Sequence, residues 1–166
     1  GNVHMRRLYD VMKYASVNWV TWEVISMWGA EPVPLTAGLW RDLEWWHKNL
    51  RYRNHTPLFM HETSWKIILM GTDASDWGGG GEIEMDGDTE EMRFPWSCYE
   101  QTQDINVREM ATVVVMCIRW GERLRGCRLK LRVDNQVTHC VIRKGGAAGL
   151  MMMELMRRLA ELQSRF

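Results

Sequence analysis

The sequence predicts an α/β fold built on a mixed β-sheet with packed helices, preceded by a helical segment rich in tryptophan. A short apolar run at residues 65–70 is typical of a buried strand, and two further strand patterns follow it. A long helical pattern then separates these strands from a fourth one near residues 129–133. Since a strand–helix–strand connection is nearly always a right-handed crossover, we expect the fourth strand to lie parallel to the first.

Length and periodicity predict two regions in the 166 residues. Periodicity is lost and turn residues collect over residues 51–64. We therefore expect a helical segment at 1–64 and a sheet domain at 65–166. The chain is 46% apolar, enough for a sizeable core. It has no run near the roughly 20 apolar residues that span a bilayer, so no membrane partner is expected.

The first region is expected to be helical, and it holds six of the ten tryptophans. Pro32 and Pro34 should break its first helical stretch. A second helix should begin at Thr36 or Ala37. Its packing face is predicted from helical spacing as Trp40, Leu43, Trp46 and Leu50.

The second region should open with three strands. The first runs over residues 65–70 into Gly71-Thr72-Asp73, and a four-glycine run follows at Gly78–Gly81. Residues 82–85 alternate as a second strand, a turn is expected at residues 86–88, and residues 92–96 return as a third strand.

The helices that follow are predicted from their caps and apolar faces. Asn106 is a good N-cap for the long helix, and Asn135 for a short one ending at Gly145. The last helix should place Met152, Leu155, Met156, Leu159 and Leu162 on one face.

The four cysteines include no C-x-x-C pair. We interpret them as buried, reduced thiols, with zinc or disulfides as the alternatives. Reduced thiols favour a reducing intracellular compartment, organelles included.

Charge is unevenly distributed although the net charge is zero. Residues 67–104 hold ten acids and one base, and residues 105–166 hold twelve bases and five acids. We predict that one basic cluster contacts nucleic-acid phosphates. The alternative is that its members pair with the acids of residues 82–91. The cluster consists of Arg119, Arg123, Arg125, Arg128, Lys130 and Arg132.

Three acids are candidates for a metal site. Asp73 and Asp134 end strands that we expect to be parallel neighbours, about 5 Å apart at the backbone, and Glu109 lies in the first turn of the long helix. Carboxylate oxygens in that number suit Mg²⁺ or Mn²⁺, and two such ions could support phosphodiester hydrolysis. Each acid also has a structural alternative: a turn for Asp73, a helix start for Asp134, and a capping box with Asn106 for Glu109.

The motifs that surround these acids, Thr72–Ser75, Ile105–Ala111 and Val133–Gln136, resemble those of the ribonuclease H domains of reverse transcriptases, most of all in DIRS-type and gypsy-like retrotransposons. Leu43–Trp46 also resembles the segment that joins the polymerase thumb to that domain. The matching stretches of the domain are Thr72–Ser75 with Trp77–Gly79 (T-D-A-S and G-W-G in the family), Ile105–Ala111 (I-N-x-x-E-x-x-A), Val133–Gln136 (D-N-x) and Lys144–Gly146 (K-x-G-G).

This resemblance implies a ribonuclease H-like sheet, metal coordination by Asp73, Glu109 and Asp134, and cleavage of RNA in RNA–DNA hybrids. It also implies a fifth strand and a later helix carrying a fourth acid, which no residue after Asp134 matches. A chain ending at Phe166 would lack that ligand and would leave a sheet edge for other polypeptides to cover.

Two other functions are alternatives to a ribonuclease H enzyme. One is a domesticated, non-catalytic fragment that binds structural RNA and protein in a ribonucleoprotein such as a mitochondrial ribosome. The other, a repair or resolvase nuclease of the same fold, has no matching motif in the sequence.

Overall fold

The computed structural model describes His4, Met5, residues 36–53 and residues 65–165. The chain divides into two compact units, Gly1–Phe59 and Met60–Phe166. The helix break expected at Pro32 and Pro34 lies outside the described residues. Of the boundary expected over residues 51–64, the structure describes only residues 51–53, which are helical. The assignment of residues 1–64 to a thumb- and connection-like segment stays a prediction.

In the first unit, helix α1 spans Ala37–Arg53. Thr36 caps it, because its Oγ1 accepts the backbone N–H of Leu39 at 3.2 Å. The predicted packing face is wrong at Trp40, which is 59% exposed. The buried positions are Leu39 and Asp42 instead.

His4 contacts the side of α1 that carries Asp42. Its Nδ1 lies 3.0 Å from Oδ1 of Asp42, and its ring stacks on Trp45 with the ring centroids 4.0 Å apart. The side of α1 that carries Asp42 and Trp45 therefore packs against His4.

In the second unit, the described strands are β1 (Ile67–Ala74), β2 (Gly78–Met85), β3 (Asp88–Pro95) and β4 (Arg128–Val133). They form one sheet in the order β3-β2-β1-β4. The pairs β1–β2 and β2–β3 are antiparallel, whereas β4 runs parallel to β1. The predicted architecture, a mixed sheet of three antiparallel strands plus a parallel fourth with packed helices, is confirmed.

The turn between β2 and β3 is confirmed as a tight hairpin. Asp86 and Gly87 both have positive φ, at 56° and 89°. Two consecutive left-handed residues are the requirement of a type I′ turn, whose twist matches that of the strands it joins.

The described helices of this unit are α2 (Cys98–Gln101), α3 (Ile105–Arg119), α4 (Gly121–Leu124), α5 (Gln136–Lys144) and α6 (Leu150–Arg165). Helix α3 packs on β1 and β2 and also contacts α6. Its fully buried Met110, Val113 and Met116 meet the apolar face of the sheet at Ile68 and Met70. Within the described residues, none of the helices has the length and apolar character needed to cross a membrane.

Strand β2 is longer than predicted, because it includes the four glycines. Two of them lie under α3. A Cβ at Gly79 would come within 2.5 Å of Thr112 Oγ1, and one at Gly81 within 2.7 Å of the carbonyl oxygen of Gly71. The glycines thus let helix and sheet approach closely, a packing requirement that outweighs the low strand propensity of glycine.

The expectation that the cysteines are buried holds only for Cys117. Cys98 and Cys140 are exposed, and Cys127 is half-buried. Burial raises the pKa of the Cys117 thiol to about 11. Cys98 and Cys140 lie in helices, on the sides that face away from the core.

Candidate metal centre

The ends of β1 and β4 bring two aspartates together. The parallel register pairs Thr72 with Val133. The next residue on each strand is an aspartate, so Asp73 and Asp134 emerge side by side at the carboxyl edge of the sheet. Both side chains are exposed.

Helix α3 adds the third acid. Glu109 lies in its second turn and is only 4% exposed. One carboxylate oxygen from each of Asp73, Glu109 and Asp134 lies within 4.8 Å of the other two. The structure therefore brings together the three acids that the sequence singled out, and we call them the carboxylate cluster.

The two carboxylate oxygens of Glu109 differ in their contacts. Oε1 accepts the backbone N–H of Ala74 at 3.3 Å. Oε2 is buried and has no hydrogen-bond partner among the described residues. Burial raises the pKa of Glu109, the Ala74 N–H lowers it, and the negative charges of Asp134 and Asp73 raise it further.

The cluster fits a divalent cation on two grounds. A buried carboxylate oxygen without a partner is costly, and so are three neighbouring acids, unless a positive charge neutralises them. The donor set consists of carboxylate oxygens alone, the ligands that Mg²⁺ and Mn²⁺ prefer over zinc.

The prediction that Asn106 caps the long helix is wrong. The N-cap is Asp104, whose side chain accepts the backbone N–H of Asn106 at 2.8 Å. The capping-box alternative for Glu109 falls with it, because the Glu109 carboxylate contacts Ala74 instead. A capping box does occur one helix earlier, between Ser97 and Glu100.

The side chain of Asn106 instead contacts Asn135. Its Oδ1 accepts a hydrogen bond from Nδ2 of Asn135 at 3.0 Å. Asn135 caps α5, as predicted, by accepting the backbone N–H of Thr138 at 2.9 Å. The amide–amide bond thus ties the start of α3 to the residue that follows Asp134.

Arg108 is a residue that the sequence did not single out. Its guanidinium is 8% exposed and donates from Nη1 to the carbonyl oxygen of Ser75 and from Nη2 to Oδ1 of Asp76, both at 2.9 Å. Trp96 Nε1 donates to the same Ser75 oxygen at 3.0 Å. The turn between β1 and β2 is therefore fastened to α3 directly beside Glu109.

An open groove of about 970 Å³ runs along the sheet from the cluster. Asp73 and Asp134 lie in its wall, the four glycines of β2 form part of its floor, and Arg93, Arg132 and Trp77 also line it. The groove thus combines a candidate cation site, an aromatic ring and two arginines, each paired with a glutamate that also lines it: Arg93 with Glu91 at 3.7 Å and Arg132 with Glu82 at 2.9 Å.

All six members of the predicted basic cluster are exposed, but they do not form one surface. Arg123 pairs with Glu90 of β3 at one edge of the sheet, whereas Arg132 lies on β4 at the other edge and pairs with Glu82 at 2.9 Å. Glu90 also accepts from Trp120 Nε1, and the two hydrogen bonds lower the pKa of its carboxyl.

Pairing with the acids of residues 82–91 thus occurs for two of the six, and Arg125 pairs with Glu122 at 3.4 Å. The remaining three form no ion pair with any residue that the structure describes; they are Arg119, Arg128 and Lys130. Phosphate binding by the six residues stays a prediction, and it is best supported for Arg128 and Lys130 on β4.

Two solved structures of foamy virus protein are similar to the chain. One is the foamy viral protease–reverse transcriptase in complex with double-stranded DNA, with 14% identity over 98% of this chain and 26% of that one, and a TM-score of 0.42. The other is the native prototype foamy virus protease–reverse transcriptase, with 10% identity over 96% of this chain and 20% of that one, and a TM-score of 0.42. The chain spans about a quarter or less of their length.

No protein-family model and no curated protein sequence matches the chain.

Proposed function

We propose that this chain is a ribonuclease H-like module, derived from a reverse transcriptase, that hydrolyses RNA in RNA–DNA hybrids with two divalent ions. The observation that carries the proposal is the meeting of Asp73, Glu109 and Asp134 within 4.8 Å. The cluster lies at the carboxyl edge of the sheet, where open α/β sheets bind their ligands.

Each acid has a defined part in this proposal. Asp73 and Asp134 are exposed and would hold the cation from the strand side. Glu109 would offer Oε2, since Oε1 already accepts the Ala74 N–H. When bound, Mg²⁺ or Mn²⁺ ions supply a water nucleophile at neutral pH and stabilise the leaving oxygen of the phosphodiester.

The groove supports a nucleic-acid substrate. Arg93 and Arg132 line it beside the aspartates, each paired with a glutamate, and Gly80 adds no side chain on the face of the sheet that carries Arg93. On the motif pattern given above, we assign the origin of the module to a DIRS-type or gypsy-like retrotransposon. Residues 1–64 would then be part of the preceding thumb and connection.

A second candidate is a structural subunit of a ribonucleoprotein that binds RNA and protein without catalysis. The observation that favours it is the edge of the sheet at β4, which among the described strands pairs with β1 alone. Unpaired backbone groups on an edge strand invite another strand, so another polypeptide could cover this edge.

Hybrid cleavage separates the two candidates. The full chain is incubated with an RNA–DNA hybrid and Mg²⁺ or Mn²⁺, beside Asp73→Asn and the matched control Asp88→Asn, which changes an exposed aspartate at the start of β3. Because no residue after Asp134 matches the fourth acid, the second ion would be held loosely, so we expect weak cleavage at most by the unmodified chain and by the control, and none in Asp73→Asn.

Cleavage that survives in Asp73→Asn would overturn the catalytic role of the cluster. Absence of cleavage by the unmodified chain, together with retained RNA binding, would favour the structural subunit.

A further inference from the structure

Trp77 combines strong exposure with a fixed backbone. Its side chain is 77% exposed, in the turn between β1 and β2. Its N–H donates to Ser75 Oγ at 3.3 Å, and its carbonyl oxygen accepts the N–H of Trp96 at 3.0 Å. Ser75 Oγ also accepts from Gly78 N at 3.2 Å and donates to the Gly78 carbonyl. The indole is thus presented on a turn whose backbone hydrogen bonds are satisfied.

Hydrogen bonds to α3 fix the turn and the end of β1. Arg108 donates to Ser75 and Asp76, and Ala74 donates to Glu109. An aromatic ring on a preorganised turn loses little further freedom when a flat ligand stacks on it, so more of the stacking energy remains as affinity.

The surroundings of the ring define the ligand. Trp77 lines the same groove as Asp73, Asp134, Arg93 and Arg132. A ligand lying there meets an indole that suits a flat ring, beside two aspartates that would hold a cation; Arg93 and Arg132 are paired with Glu91 and Glu82 of the same groove. Stacking rings joined by phosphates are the chemistry of a nucleic-acid strand, in which a base would stack on the indole and a phosphate would meet the cation held by the aspartates.

We propose that Trp77 is a stacking platform for an unstacked nucleobase of the strand that lies in the groove. This proposal rests on the proposed function for the identity of the ligand class, and it adds a binding residue that takes no part in holding the cation. It predicts a preference for substrates with a single-stranded segment next to the hybrid.

The test measures binding by the full chain with divalent ions chelated, so that no cleavage occurs. The probe is an RNA–DNA hybrid with a single-stranded tail that carries a fluorescent adenine analogue. Anisotropy gives the dissociation constant, and quenching of the analogue reports stacking. The variants are Trp77→Ala, Trp77→Phe and the matched control Tyr99→Ala, an exposed aromatic residue outside the groove lining.

We expect Trp77→Ala to weaken binding of the tailed probe about 10-fold and to abolish quenching, because stacking on an aromatic side chain is worth roughly that factor per base. Trp77→Phe should keep most of both, and Tyr99→Ala should match the unmodified chain. A fully double-stranded hybrid should bind Trp77→Ala and the unmodified chain equally.

Unchanged affinity and quenching in Trp77→Ala would overturn the proposal. Paramagnetic resonance of added Mn²⁺ and hybrid cleavage, measured on the same variants, separate it from the proposed function. If Mn²⁺ binding and cleavage stand while Trp77→Ala binds normally, only the platform is refuted. If the stacking signature is present without Mn²⁺ binding or cleavage, only the catalytic proposal is refuted.

Discussion

The guanidinium of Arg108 donates to the carbonyl oxygen of Ser75 at 2.9 Å, across 33 positions of sequence. The next residue, Glu109, accepts a hydrogen bond from Ala74, the residue before Ser75. Two adjacent residues of α3 therefore hydrogen-bond to the last residue of β1 and the first residue of the turn, and Oε2 of Glu109 is left without a hydrogen-bond partner among the described residues.

Arg108→Lys should weaken the contacts of this residue with Ser75 and Asp76. An ammonium is a compact donor and cannot reproduce the fork that reaches both Ser75 and Asp76. We expect the free energy of unfolding to fall by about 1–3 kcal/mol, the range for hydrogen bonds of charged groups, and Mn²⁺ affinity to fall with it. Urea denaturation and paramagnetic resonance measure the two effects. Asp76→Asn, which keeps an acceptor oxygen, should be milder; equal behaviour of Arg108→Lys and the unmodified chain would refute the positioning role.

Glu109→Gln should stabilise the metal-free protein at neutral pH. The pKa of Glu109 is raised by burial, so the folded chain binds this proton more tightly than the unfolded chain does. The charged carboxylate therefore destabilises the folded state above its folded pKa, and this penalty is relieved as the pH falls through that value. Thermal unfolding in chelator should show a higher melting temperature for Glu109→Gln, and the gain should vanish in acid.

With added Mn²⁺, the unmodified chain should have the higher melting temperature, because the cation stabilises only a chain that still holds the Glu109 carboxylate. A variant that melts below the unmodified chain in chelator at neutral pH would contradict the proposed cost of the unpartnered oxygen.

Lys130→Ala should reduce both the affinity for hybrids and its salt dependence. Lys130 forms no ion pair with a described residue, so its charge is available to a phosphate. Loss of one phosphate contact should lower the slope of log affinity against log salt by about 0.9. Arg123→Ala is the matched comparison, since Arg123 is engaged by Glu90. Anisotropy over a salt series measures both variants. Equal losses of hybrid affinity in Lys130→Ala and Arg123→Ala would show that pairing with Glu90 does not keep Arg123 from binding a phosphate.

Gly81→Ala should destabilise the sheet domain. The new Cβ would lie 2.7 Å from the carbonyl oxygen of Gly71 and 3.0 Å from Met116 Cγ, so backbone must move. We expect a loss of about 1–3 kcal/mol in the free energy of unfolding, typical of overpacking. Gly149→Ala is the control, because a Cβ there meets no atom within 4 Å. A chevron or urea curve for Gly81→Ala that matches the control would contradict the close approach of β2 to α3.

Local sequence patterns were sufficient to predict the carboxylate cluster. The apolar runs before Asp73 and Asp134 identify two strands, and the crossover rule makes them parallel neighbours, so their ends must meet. The cap at Asn135 and the turn at Asp86-Gly87 are likewise local, because each depends on residues within three positions of itself.

Other features depend on contacts between distant residues, so sequence patterns could not predict them. Asp104 and Asn106 are equally good caps by type, and the bond from Asn135, which engages the Asn106 side chain, lies 29 positions away. The partners of Arg108 are 32 and 33 positions distant. On α1, His4 stacks on Trp45, and Trp40 lies outside the buried face.

The tight turn at Asp86-Gly87 also has a kinetic consequence. Hairpins such as β2–β3 form within roughly 1–10 μs, whereas the parallel pairing of β4 with β1 must close a loop that contains the whole of β2, β3 and α3. Asp134 can reach Asp73 only after that slow closure. The repulsion that Asp134 adds to Asp73 therefore arises only in chains in which β4 has already paired with β1.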